Sequence, residues 1–195
     1  MKGLTKITLL ALVFVTSQAY SKYGFETDGG VSGGGGFLIS PETPDQYTSP
    51  QKIEDLIKKH AESSLEKYLI SKKQKFDKGQ LPGHELATLE PILKQGAIFN
   101  TMKKTNLVVE EDHSCFGAQG EPTDASFFNQ KKKAICISAK NIAEKVHPKE
   151  LKPQALALMM HEYSEIMGLA DQDAVGVQKI VLDDLKSSGE TFGSK

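Results

Sequence analysis

The side chains able to do chemistry gather near the C-terminal end, in Ala155-Leu-Ala-Leu-Met-Met-His161-Glu162-Tyr-Ser-Glu165-Ile-Met-Gly168-Leu-Ala-Asp171-Gln-Asp173-Ala174. Imidazole and carboxylate are the donors that bind divalent metals and the groups that move protons near neutral pH. On a helix turning about 100° per residue, His161 and Glu165 lie about 40° apart and share a face. Gln154, Ala157 and Leu158 fall on or near that face, and Met159, Tyr163 and Ile166 lie roughly opposite. The segment is apolar nearly all round, which predicts a buried helix. A buried carboxylate without a partner is expensive or takes up a proton. Glu162 and Glu165 therefore need partners, and a metal ion is one.

The run His161-Glu162-Tyr-Ser-Glu165 resembles the His-Glu-x-x-His helix of zincin-type metallopeptidases, with Glu at the second His position. The resemblance covers about twenty residues, or about forty if a strand at 134–138 lies beside the site. It implies that His161 is the first metal ligand, Glu162 the general base that activates water, and Glu165 the second ligand. A carboxylate in place of the imidazole adds negative charge and makes the donor set harder, so other divalent cations suit the site as well as zinc. The third ligand has two candidates. Gly168 and Asp171 match one family spacing, and the acidic residue followed by alanine, Asp173-Ala174, matches another. Asp173 is the favoured choice, since it would sit in the opening turn of the next helix and Asp171 would serve as N-cap. The implied substrate is a peptide or protein.

Two other readings fit the same residues. His161 and Glu165 can form a charged pair and Gly168 an ordinary helix end, giving an exported binding or structural protein that keeps the helix pair. Alternatively, Cys115 with nearby His113 would be a thiol enzyme. Against the thiol, two cysteines in an exported chain point to one disulfide, Cys115–Cys136. Closing that loop is worth ~3 kcal/mol on a chain-entropy estimate.

Export is the reading of residues 1–19. Lys2 and Lys6 precede a short apolar run, and Ser17 and Ala19 supply a small-residue cleavage signal, so 1–19 reads as a signal peptide. The run is too short to span a bilayer. No retained membrane anchor is expected, and the destination is periplasmic or secreted. The mature chain would be about 175 residues, enough for one domain with a real core. Losing Lys2 and Lys6 takes the formal net charge from −1 to −3, and no dominant basic stripe argues for nucleic acid as a partner.

The rest of the chain must position the 153–168 helix. Residues 20–48, with Gly33 to Gly36 and Pro41 and Pro44, read as a Gly/Pro-rich flexible linker. The glycine run lacks the Lys-Ser/Thr ending of a phosphate loop. Ser49-Pro50 is a helix start. Ile53, Leu56, Ile57, Ala61, Leu65, Tyr68 and Leu69 then recur at helical spacing, predicting an amphipathic helix over about 50–73. A short helix follows Pro82-Gly83, packing Leu86, Leu89, Ile92 and Leu93; His60 and His84 read as non-ligands. Strands are expected at 105–110 and 134–138, with a long disulfide-tied loop from Cys115 to Phe128 between them. A short helix at 140–146, one opened by Pro153, and a last one carrying Val175, Val177, Ile180, Val181 and Leu185 complete the order. The expected fold is α+β: a small, zincin-like domain over 49–195 with few strands, a long N-terminal helix and two C-terminal helices.

Overall fold

Ser49 caps the first helix as its type demands. Its Oγ accepts from the Lys52 N–H at 3.3 Å, and Pro50 opens helix α1, Pro50–Asp77. The computed structural model describes residues 36–39, 41, 48–129, 133–189 and 191–192. The signal-peptide reading of 1–19 and most of the linker reading of 20–48 lie outside these residues. Helix α1 continues past the expected end near 73, with Ile53, Ile57, Ala61, Leu65 and Leu69 buried as its period requires. Lys72 is buried on the same face, paired with Glu85 at 2.5 Å and Asp184 at 2.7 Å.

Helix α2 (Gly83–Leu93) buries Leu89, Ile92 and Leu93 but leaves Leu86 exposed, unlike the expectation. Helix α3 (Ala97–Lys104) leads into strand β1 (Asn106–Glu110). His84 is exposed, and His60 stacks on Phe192; neither joins a donor cluster among the described residues.

The segment expected as one long loop is more structured than that. It holds a small hairpin, β2 (Cys115–Phe116) and β3 (Pro122–Thr123), and then strand β4 (Ala125–Asn129). Strand β4 pairs antiparallel with β5 (Lys133–Ser138), and β1 pairs parallel with β5, so the order is β1-β5-β4. The central strand β5 buries Ala134 through Ser138, as a strand covered on both faces must. The sequence obscured β4 because Asp124-Ala-Ser126 looks like turn chemistry, while Phe127 is what the sheet buries. A disulfide joins Cys115 in β2 to Cys136 in β5 and staples the hairpin to the central strand. Both cysteines are thereby bonded, which removes the thiol-enzyme reading.

Helix α4 (Ala139–Lys145) is capped by Ser138, whose Oγ accepts from the Asn141 N–H. Helix α5 (Leu151–Ile166) starts two residues before Pro153 and is buried on all sides from Pro153 through Glu165. It packs most extensively on α6 (Asp171–Ser188), and also on α1, α3, β4 and β5. The architecture is α+β, with a small three-stranded sheet, a long N-terminal helix and a C-terminal helix pair. Among the described residues no helix is long and apolar enough to cross a membrane.

Candidate metal centre

The turn between α5 and α6 builds the site. Gly168 has φ +92°, and its N–H donates to the Glu165 carbonyl at 2.8 Å while the Leu169 N–H donates to the Ser164 carbonyl at 3.0 Å. This pair of bonds is a Schellman ending, which places a glycine where an L side chain would be strained. The chain reverses and α6 begins at Asp171, with Ala170 rather than Asp171 at the N-cap. Asp171 is thus free of the capping role and lies over the end of α5.

His161, Glu165 and Asp171 come together there, each offering a donor atom within 4.8 Å of the others. Nε2 of His161 is 3.8 Å from a Glu165 carboxylate oxygen and 3.5 Å from Oδ1 of Asp171. Two donors about 2.1 Å from one ion lie no more than about 4.2 Å apart, so both of these distances suit a shared cation. The imidazole and the Glu165 carboxylate are buried, and the Asp171 side chain is 58% exposed, free to adjust. Asp173, the favoured third ligand from sequence, is not in this group; it lies farther into the first turn of α6.

The donors are poorly satisfied without an ion. Among the described residues neither His161 ring nitrogen, nor Oε2 of Glu165, nor Oε2 of Glu162 has a hydrogen-bond partner. Buried polar atoms normally find one. Burial pushes the Glu165 carboxyl up to about 7, with Asp171 adding repulsion. Burial also raises Glu162 well above the usual carboxylate range, reinforced by Glu165. The His161 imidazole is pushed down by burial, against the pull of Asp171 and of Gln178 beside the ring. A neutral imidazole is the ligating form, and a cation would relieve the carboxylate repulsion. The donor set therefore fits a divalent metal.

No family model matches the chain, and neither a curated protein nor a solved structure matches it.

Glu162 adjoins the cluster and is fully buried. Its Oε1 accepts the Gly36 N–H at 3.0 Å. Residues 36–39, placed in the linker by composition, are thus seated against the domain. Leu38 and Ile39 pack on its core, which is why a Gly/Pro-rich reading misses them. Gln178 is the other residue the sequence did not single out. It is a buried amide between the apolar positions Val177 and Val181 of α6, and such an interruption of an apolar stripe is a legible sign of a polar partner.

Proposed function

We propose that the protein is an exported metal-dependent hydrolase of peptide bonds. His161, Glu165 and Asp171 hold one divalent cation and Glu162 is the general base. The observation that carries this reading is the convergence of His161, Glu165 and Asp171, with the His161 ring nitrogens and Oε2 of Glu165 buried and making no hydrogen bond among the described residues. A cation held there supplies Lewis acidity toward a carbonyl and lowers the pKa of water. The residues do the remainder. His161 and Glu165, one helical turn apart, fix the donor geometry on a rigid buried helix. Asp171 closes the set from α6. With a cation offsetting the negative charge of Glu165 and Asp171, Glu162 would be ionised, and its Oε2 would receive the proton because Oε1 is held by the Gly36 N–H. Zinc follows from the zincin resemblance; two carboxylates and one imidazole also suit manganese. Export rests on the 1–19 signal, and the disulfide suits an oxidising compartment.

A second reading is supported by the same Gly36 contact. With main chain seated on Glu162, the helix pair can serve a binding or structural protein in which the charged cluster has no catalytic use. Glu162→Gln separates the two. In a hydrolase it lowers turnover of a mixed peptide pool by about 10²-fold or more while the metal stays bound. Unchanged turnover, or purified protein that takes up no Zn²⁺ or Mn²⁺, sinks the hydrolase.

A further inference from the structure

Four residues, 36–39, meet the domain through a dense set of main-chain hydrogen bonds. The Gly36 N–H donates to Oε1 of Glu162 at 3.0 Å. The Gly36 carbonyl accepts from two consecutive amides, Asp124 N–H at 3.2 Å and Ala125 N–H at 3.0 Å, at the entry to β4. The Phe37 carbonyl accepts from Nε2 of Gln178 at 2.7 Å. The Leu38 N–H donates to Oδ2 of Asp124 at 3.0 Å. The Ile39 carbonyl accepts from Nε2 of Gln154 at 2.9 Å. Every residue of the segment is thus gripped by its backbone.

The gripping side chains are themselves buried. Asp124, Gln154, Glu162 and Gln178 are all at most 2% exposed. Four such groups, two on α5, one on α6 and one at the entry to β4, sharing a ligand remote from them in sequence, form a built site rather than a chance contact. Asp124 is held in place by Lys145 at 2.5 Å and Asn141 at 2.8 Å. Recognition through main-chain groups binds peptide backbone with little regard to sequence, and selectivity then comes from the space left for side chains. That space is graded here. A Cβ on Gly36 would lie 2.6 Å from Oε1 of Glu162 and 3.2 Å from Cδ2 of His161, so any side chain there displaces the carboxylate that holds the Gly36 N–H. Phe37 is 55% exposed and unconstrained, whereas Leu38 and Ile39 pack on the core.

The geometry points to a peptide-binding groove, bounded by Asp124, Gln154, Glu162 and Gln178, which the chain fills in cis with its own residues 36–39. Its ligand class is a peptide with glycine against Glu162 and apolar residues two and three positions later. The inference deepens the hydrolase reading, and rests on it for the groove's role as substrate site. It makes residues 36–39 a built-in competitor that must leave before another peptide can reach Glu162.

The test measures binding, not turnover. A fluorescent peptide copying residues 33–41 is titrated by anisotropy into the full-length wild-type chain and into Gly36→Val, both with chelator present. The valine cannot occupy the seat, so the variant's groove is open and binds the peptide about tenfold or more tighter than wild type does. A peptide with valine replacing the glycine that matches Gly36 binds neither chain. Equal affinity of both chains, no binding to either, or equal binding of the valine peptide overturns the inference. If Gly36→Val loses its cooperative thermal transition, the decision passes to the wild-type sequence with a protease site inserted between 42 and 47 and cut after folding. That protein exchanges its own segment for the labelled peptide; failure to take it up overturns the inference. Metal uptake and turnover can fail without changing this readout, and peptide binding can fail while metal uptake stands.

Discussion

Asp171 brings Oδ1 to 3.5 Å from Nε2 of His161, across the turn that ends α5. The contact assigns unequal roles to the two aspartates at the start of α6. Asp171 faces the donor pair on α5, and Asp173 stands outside the cluster. Asp171→Asn should therefore weaken Zn²⁺ or Mn²⁺ binding by about tenfold or more, as loss of a charged ligand does, while Asp173→Asn should leave it close to wild type. Isothermal titration of chelator-stripped protein measures both. The reverse ranking would show that the third ligand is Asp173.

Gly168 makes that approach of α6 possible. At φ +92°, an alanine would be strained by about 1 kcal/mol or more, with no neighbouring atom to clash with. Gly168→Ala should lower the melting temperature by a few degrees. It should also loosen metal binding, because the turn aims Asp171. A variant with lower stability but unchanged metal affinity would mean that Asp171 finds its place independently of the turn.

How much of this was legible in the sequence differs from residue to residue. The helix pair was clear, because a nearly all-apolar helix ending at a glycine leaves few alternatives. His161 and Glu165 on one face followed from helical geometry alone. The choice between Asp171 and Asp173 did not, because it turns on whether residue 170 or 171 is the N-cap of α6, and such boundaries depend on local cap geometry. The sheet was harder to read. Strand β4 is short and enters from Asp124, a residue whose turn-like character serves instead to hold Lys145, Asn141 and Leu38. Hardest was Gly36. Its place beside Glu162 depends on contacts between residues more than a hundred positions apart, and no local pattern carries that information.

The Cys115–Cys136 bridge should matter for stability more than for the metal donors. It ties the β2–β3 hairpin to β5, whereas the donors sit on α5 and α6. Replacing both cysteines with alanine should remove about 2–4 kcal/mol of unfolding free energy, readable by urea titration. Metal affinity of the folded variant should stay within about twofold of wild type, as expected for sites without shared partners. A loss of metal binding ahead of global unfolding would show instead that the hairpin supports the centre.

Proton linkage gives the metal-free protein a pH signature. The folded Glu165 carboxyl titrates at about 7, against an ordinary 4.5. The folded state holds that proton more tightly than the unfolded chain does. Its contribution to stability is complete below the unfolded value and is lost as pH rises through about 7. Glu162, also raised, acts with the same sign. His161 acts oppositely: its folded value lies below 6.5, so its contribution grows as pH rises toward 6.5. Two carboxyl groups outweigh one imidazole, so in chelator the melting temperature should fall between about pH 5 and pH 7.5. Glu165→Gln should make that fall shallower. Saturating Zn²⁺ or Mn²⁺ should reverse it for wild type, since the cation binds the deprotonated carboxylates and adds stability as they ionise. A melting temperature that rises with pH in chelator, or the same slope in Glu165→Gln, would rule out Glu165 as a raised, buried carboxyl waiting for a cation.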